Sequence, residues 1–257
     1  MSAAPGGPSI SAKTQLGHVT SDLHLFSRWS AANKHIAAIR RAAARSEFFV
    51  LNGDVFDFRW TTLPTVDETM SAAVEWLGDF ATDHPHCQVH YVMGNHDASA
   101  RFAEQLKVLA GELGNFEWHP SHVRLGNALF LHGDLVFHLQ PESPFERTLA
   151  QPMRKRSKAA GHCNRLLHAM RFHTWHAPVC RPKRCANRII RSFEGDPAGL
   201  TAGVTDVYFG HTHRMFTNYR LAGITFHNTG AAIGGIRGNV LPVRVSAVKH
   251  GSQRFAG

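Results

Sequence analysis

The chain has 257 residues, 43% of them hydrophobic and 18% charged, which is enough apolar content for a sizeable core and too balanced for an intrinsically disordered protein. It lacks any run of about 18 apolar residues that could form a bilayer-spanning helix. Its 4 cysteines are too few for a disulfide scaffold, so a reducing, cytoplasmic setting is expected.

Residues 1–13 are dominated by Ala, Gly, Pro and Ser, with neither a charged leader nor an apolar segment, and are expected to form a disordered tail rather than a secretory signal. One domain is predicted over 14–257. Gly17 to Thr20 reads as a strand and runs into Asp22-Leu23-His24. Ala31 to Arg45 then reads as a helix: Ile36, Ile39 and Ala43 recur at three- and four-residue steps, as a core-facing stripe requires, and Arg40, Arg41 and Arg45 fall toward solvent. A strand from Phe48 to Leu51 ends at Gly53-Asp54, a helix follows from Asp67 to Asp83, and a strand from Val89 to Met93 ends at Gly94-Asn95-His96-Asp97. Ala100 to Leu113 is a third helix. Ala128 to Leu131 leads into His132-Gly133-Asp134, and Val204 to Phe209 into Gly210-His211-Thr212-His213. After that, short runs (Met215 to Leu221, Ile224 to Asn228, Val243 to Val248) separated by glycine-bearing turns predict antiparallel strands. Strands alternating with helices in the first half imply an α/β fold.

Each polar block follows an apolar strand, so the blocks should gather at strand ends, where open α/β sheets build their sites. Carboxylates, imidazoles and one amide are the donors that hard or borderline divalent ions prefer, and the blocks contain no cysteine. Two ions about 3.5–4 Å apart need a shared ligand, and a carboxylate, with two oxygens, can bridge them. Asp54 is the best bridge, because the preceding Gly53 allows a tight strand exit.

Between His132 and His211 the composition changes, and 138–200 reads as an inserted, lid-like helical lobe. From Arg147 to Phe193 there are 12 Lys or Arg and no Asp or Glu, which leaves 16 basic against 19 acidic residues elsewhere; the formal charge of +9 is therefore local. Leu166, Met170, Trp175, Ile189 and Phe193 interleave with those cations, so the segment is amphipathic and basic. Such a lobe suits a lid over an anionic amphiphile, a foot on an anionic membrane surface, a grip on nucleic acid, or simply a solvated face. Cys163, Cys180 and Cys185 with His162, His173 and His176 are either a zinc site pinning the lobe or ordinary lobe residues.

The ordered set DxH, GDxxD, GNHD, a lone His and GHxH, including Asp57 at the end of Gly53-Asp54-Val55-Phe56-Asp57, resembles the signature of the calcineurin-like metallophosphoesterases. The resemblance implies a two-sheet αββα sandwich flanked by helices. It implies two divalent ions, manganese first with iron or zinc as alternatives, one held by Asp22, His24, Asp54 and His213 and the other by Asp54, Asn95, His132 and His211. It also implies that His96 acts as general acid or phosphate contact, oriented by Asp97, and that Asn228-Thr229-Gly230 is the family's glycine turn. Asp57 stays outside the ligand set, since a capping or salt-bridging role suits it equally. The long insertion before Gly-His-Thr-His looks like the UDP-2,3-diacylglucosamine pyrophosphatase branch, which implies a nucleotide-linked lipid substrate and peripheral contact with the inner membrane surface. That branch usually carries arginine where this chain has His96, so a related phosphodiesterase or nuclease acting on nucleotides or nucleic acid stands as the alternative, as does a non-catalytic metal-binding scaffold.

Overall fold

The computed structural model describes residues 14–134, 155, 181–193, 200–233 and 240–246. The expected tail and most of the expected lobe lie outside them, as do Cys163, Cys180 and the three histidines of the zinc alternative.

Ten strands form two five-stranded sheets. In the first, β1 (Thr14–Thr20), β2 (Phe48–Asn52), β3 (Gln88–Val92) and β4 (Phe116–His119) run parallel, and β10 (Leu241–Ser246) closes the other edge antiparallel to β1. Helices α1 (Ile36–Ala43), α2 (Val66–Thr82) and α3 (Ala100–Glu112) are the crossovers between the parallel strands. The second sheet has the order β5-β6-β7-β9-β8, with β5 (His122–Leu125), β6 (Ala128–Leu131), β7 (Asp206–Phe209), β8 (Phe216–Leu221) and β9 (Ile224–Asn228). Its outer face carries α4 (Pro182–Ser192).

Three apolar layers separate these four. Leu51, Phe49, Tyr91, Leu77, Phe80 and Phe102 fill the space between the first sheet and α1–α3. Val19, Val50, Val92, Phe130, Tyr208 and Val243 lie between the sheets. Leu129, Phe209 and Phe226 pack against Cys185, Ala186 and Ile189 of α4. β2 is buried along its whole length because it is central and covered on both faces, which explains why Phe-Phe-Val-Leu is a continuous apolar run rather than an alternating one. The expected αββα sandwich is therefore present.

Several boundaries differ from expectation. The helix predicted over Ala31 to Arg45 is a 3-10 turn, Ala32–Lys34, followed by α1, with Ile39 and Ala43 buried as predicted. Ser30 Oγ accepts from the Ala32 amide and donates to the Leu23 carbonyl, while His35 offers no side-chain cap, so the chain turns twice before the helix proper begins. β4 and β5 were not predicted. Each is only four residues long, with polar residues at alternate positions, and together they flank a Pro-Ser turn. Cys185 is a packing residue on the buried face of α4.

Candidate metal centre

All five polar blocks converge at the carboxyl ends of β1, β2, β3, β6 and β7. Two strand exits are tied together directly: the Asp22 amide donates to the Gly53 carbonyl and the His24 amide to the Asp54 carbonyl, each at 3.0 Å. Leu23, Val55, Phe56 and Phe58, all nearly or fully buried, alternate with the polar residues and plug both loops into the core; Phe56 and Phe58 pack edge-on against Phe102. Apolar anchors thus hold polar side chains that alone would prefer water.

The backbone at these exits is unusual. Among the described residues, eight non-glycine positions have positive φ, and five of them are predicted ligands: Asp22 (51°), His24 (47°), Asp54 (50°), His211 (64°) and His213 (55°). Each such conformation costs on the order of 1–3 kcal/mol and persists where the surrounding structure enforces it, commonly at functional sites. Room is just as tightly controlled. A Cβ on Gly94 would collide with the Asp54 carboxylate and amide, and one on Gly210 with the Asp22 carboxylate and Ser21.

Two ligand groups lie side by side. Asp22, His24 and His213 bring ligand atoms within 4.8 Å of one another, as do Asp54, His132 and His211. Asn95 joins the second group, its Oδ1 3.0 Å from His211 Nδ1. Asp54 stands between the groups: Oδ1 accepts the His96 amide at 2.7 Å, while Oδ2 lies 3.1 Å from His132 Nε2 and 4.0 Å from His24 Nε2. Asp22 takes the His211 amide on both oxygens at 3.1 Å, and its Oδ1 is 3.2 Å from His213 Nε2.

The tautomers follow from the outer contacts. His132 Nδ1 faces the Asn52 carbonyl at 3.2 Å and must donate to it, which leaves a lone pair on Nε2. His24 Nδ1 lies 3.4 Å from Asp57 Oδ2, which likewise frees its Nε2. Both Nε2 atoms are buried and have no hydrogen-bond partner among the described residues. A lone pair facing a carboxylate oxygen at 3.1 Å is repulsive unless a proton or a metal cation lies between them. The electrostatics agree. Burial opposes ionisation of Asp54 and Asp22, yet for Asp54 the His132, His96 and His24 rings, and for Asp22 the His132 and His213 rings, outweigh it and hold both carboxyls below the usual range. Burial would lower His132, but Asp54 and Asp22 push it well up; burial and the neighbouring His132 push His211 down to about 3. Two buried carboxylates and orphaned imidazole nitrogens suit a pair of divalent cations, and carboxylate, imidazole and amide donors fit ions of the manganese, iron or zinc kind.

His96 and Asp97 part company. His96 sits at the mouth, its side chain 24% exposed, with Nδ1 3.2 Å from Asp57 Oδ1; burial pulls its pKa down, but Asp54 and Asp57 lift it to about 9. Asp97 does not reach that ring. It is fully buried, accepts from Tyr91 Oη and the Gly94 amide, each at 2.7 Å, and from the Phe56 amide at 3.3 Å, and burial followed by the nearby Asp54 lifts its carboxyl to about 7. The expected pairing of Asp97 with His96 is therefore corrected: Asp97 folds the Gly94–Asp97 turn, and Asp57 holds His96. Asp57 also accepts the Arg59 and Trp60 amides on Oδ1, and the His24 and His96 rings outweigh its burial and keep its carboxyl ionised.

Sequence reasoning missed Asn52 and gave Asn228-Thr229-Gly230 only as the family's glycine turn, without its bracing contacts. Asn52 Nδ2 donates to the Leu131 and Tyr208 carbonyls, locking both sheets at the site. Asn228 Nδ2 donates to the Gly210 carbonyl and to Thr212 Oγ1, and Thr229 Oγ1 meets Ser21 Oγ, so Asn228-Thr229-Gly230 supports the His211 loop. Their signal was present: each asparagine ends a strand at a fully buried position, and Asn52 follows the wholly apolar Phe-Phe-Val-Leu, a costly place for an amide without a structural task.

The family model described as calcineurin-like phosphoesterase matches residues 18–215, a span running from β1 to just beyond His213. The chain belongs to the calcineurin-like phosphoesterase family. This family implies divalent metal ions and a phosphoester substrate, and the protein is accordingly a metallophosphoesterase by membership. Among solved structures it is similar to a dimetal phosphatase from Danio rerio (13% identity, 91% of this chain and 99% of that chain, TM-score 0.45) and to the phosphopantetheinyl hydrolase from Mycobacterium tuberculosis (15%, 87% and 92%, 0.41). A predicted phosphoesterase from Streptococcus pneumoniae TIGR4 is similar at 14% identity over 91% of this chain and 84% of that one, with a TM-score of 0.37. Comparison with the curated proteins gave no match. No helix among the described residues is long and apolar enough to cross a membrane.

Proposed function

We propose that this metallophosphoesterase hydrolyses a phosphodiester or pyrophosphate bond at a dinuclear centre, with Asp22, His24, Asp54 and His213 holding one ion and Asp54, Asn95, His132 and His211 the other. The observation that carries this reading is the orphaned pair His24 Nε2 and His132 Nε2, both buried and both directed at Asp54 Oδ2. When bound, the two ions supply Lewis acidity and lower the pKa of water toward neutrality.

The chain's own residues do the rest. Asp54 cannot rotate away, because the His96 amide pins Oδ1 and leaves Oδ2 facing inward. Asp57 fixes His24 and His96 together, one ring on each oxygen. With Nδ1 held there, His96 presents Nε2 at the mouth, where it donates to a phosphoryl or leaving-group oxygen and contributes roughly 10²–10⁴ in rate. Buried walls of Leu23, Val55 and Phe56 limit water around these contacts, which strengthens them.

For the substrate we infer a nucleotide-linked lipid of the UDP-diacylglucosamine kind, with manganese as the working ion and peripheral contact with an anionic membrane. The basic segment supports this. In α4, Cys185, Ala186 and Ile189 pack inward while Lys183, Arg184 and Arg191 remain exposed, which leaves a cationic face for phosphate or anionic headgroups. Hydrolysis of bis-p-nitrophenyl phosphate with Mn²⁺ tests the reaction, and a panel of UDP-diacylglucosamine, CDP-alcohols, cyclic nucleotides and short nucleic acids tests the substrate. Turnover confined to the nucleic acids would replace the lipid reading with a nuclease. Normal turnover by Asp54→Ala would remove the dinuclear centre from the account.

A further inference from the structure

A second group of ligand-type side chains lies away from the strand exits, on the outer part of the first sheet. β3 and β4 are parallel neighbours with His90 beside Glu117 and Val92 beside His119. Side chains alternate along a strand, so Val89, Tyr91, Phe116 and Trp118 face α2 and α3, whereas His90, Glu117 and His119 share the opposite face. Three ligand-type residues on one face of an edge pair are out of keeping with the apolar character of the rest of this sheet.

We propose that His90, Glu117 and His119 form a separate metal site of the zinc class, a clamp tying the edge strand β4 to β3. The spacing is the argument. A tetrahedral ion with metal–nitrogen distances of about 2.0–2.1 Å places its ligand atoms roughly 3.3–3.4 Å apart. His90 Nδ1 lies 3.2 Å from His119 Nε2 and 3.6 Å from Glu117 Oε2, and all three ligand atoms fall within 4.8 Å of one another. The same nitrogen of His90 serves both distances, and the direct His90–His119 hydrogen bond is the contact that an ion between the rings would replace. Two imidazoles and one carboxylate favour zinc over magnesium or calcium, which prefer oxygen alone.

The site is half open. The His90 side chain is 7% exposed and that of Glu117 59%, so a fourth position faces water and an ion can enter. The clamp has a structural purpose on this strand. β4 is an outer strand of only four residues, and its His119 carbonyl accepts the Met93 amide at 3.1 Å, immediately before the Gly94 block. An ion joining β4 to β3 stiffens the exit from which Asn95 and His96 project.

The test uses the full chain loaded with Mn²⁺ and then titrated with Zn²⁺ near stoichiometry, with bound metal measured by elemental analysis and stability by thermal unfolding. Wild type should take up one zinc more per chain than His119→Ala, with a zinc-dependent rise in Tm that the variant lacks. Glu117→Gln should weaken that zinc at least tenfold. With Mn²⁺ alone and no added zinc, hydrolysis of bis-p-nitrophenyl phosphate by both variants should match wild type, which separates this site from the centre at Asp54. Should His119→Ala fail to fold, the exposed Glu117→Gln decides alone. Equal zinc uptake and equal affinity in wild type and Glu117→Gln would overturn the proposal.

Discussion

Replacing Asp57 with asparagine isolates one charge at the centre without emptying the space. Asp57 Oδ1 accepts the Arg59 and Trp60 amides at 3.1 and 2.9 Å, and an asparagine oxygen can keep both. Its NH₂ group must then face His24 Nδ1, where the carboxylate Oδ2 now lies at 3.4 Å. Two donors cannot face each other, so His24 is driven to the tautomer with the proton on Nε2, the nitrogen that should bind metal. His96 Nδ1 keeps an oxygen acceptor at that position, 3.2 Å away in the wild type, but loses the negative charge that helps hold its proton. Loss of a carboxylate behind a ligating histidine typically costs 10–100-fold in metal affinity, about 1.4–2.8 kcal/mol. Titration of Mn²⁺ into metal-depleted protein, followed by kcat/KM on bis-p-nitrophenyl phosphate at saturating metal, separates the two effects. Expected are metal affinity weakened by roughly 10–100-fold and a residual rate defect from His96, with Tm of the metal-free protein little changed. Wild-type affinity and turnover in Asp57→Asn would refute the assignment of His24 as a ligand oriented by Asp57.

His96→Ala should keep both ions and lose roughly 10²–10⁴ in kcat; loss of metal instead would make His96 a ligand. Gly94→Ala drives a Cβ into Asp54 and His132, and overpacking of this kind should cost about 1–3 kcal/mol of stability, together with metal binding; calorimetry and metal analysis check both. Cys87, 1% exposed, has its thiol pushed by burial from 9.0 up to about 12. The folded state therefore keeps a proton that the unfolded chain releases, so this contribution is whole below pH 9.0 and falls as pH rises toward 12, by about 1.4 kcal/mol per pH unit. Tyr91 and Tyr208 are also pushed up by burial and add to the slope only above pH 10.0, so denaturant titrations between pH 9 and 10 should show a shallower loss in Cys87→Val than in wild type. Equal slopes would contradict the burial argument.

The centre was legible in the sequence because its chemistry is written locally: each polar block follows an apolar strand, and the sheet order then brings the blocks together. Asp57 was harder to read. Its role depends on two rings, one from β1's exit and one from β3's, and nothing in the spacing of Gly53 to Asp57 says which oxygen meets which. Asp97 misled for the opposite reason, since the resemblance paired it with His96, whereas its carboxylate is taken up by Tyr91 Oη and the Gly94 amide while His96 faces Asp57. The 3-10 turn before α1 was hidden because Ala32 to Ala44 has helical composition throughout, and only the absence of a cap at His35 marks the break. β4 and β5 escaped because polar residues interrupt runs that are only four residues long.

Two cations that share Asp54 must lie on either side of its carboxylate. Anomalous scattering from crystals soaked in Mn²⁺ tests this arrangement most directly. Two peaks about 3.5–4 Å apart should flank the Asp54 carboxylate, one beside His24 and the other beside His132, and neither should appear in Asp54→Ala. A single peak, or a pair that survives the loss of Asp54, would contradict it.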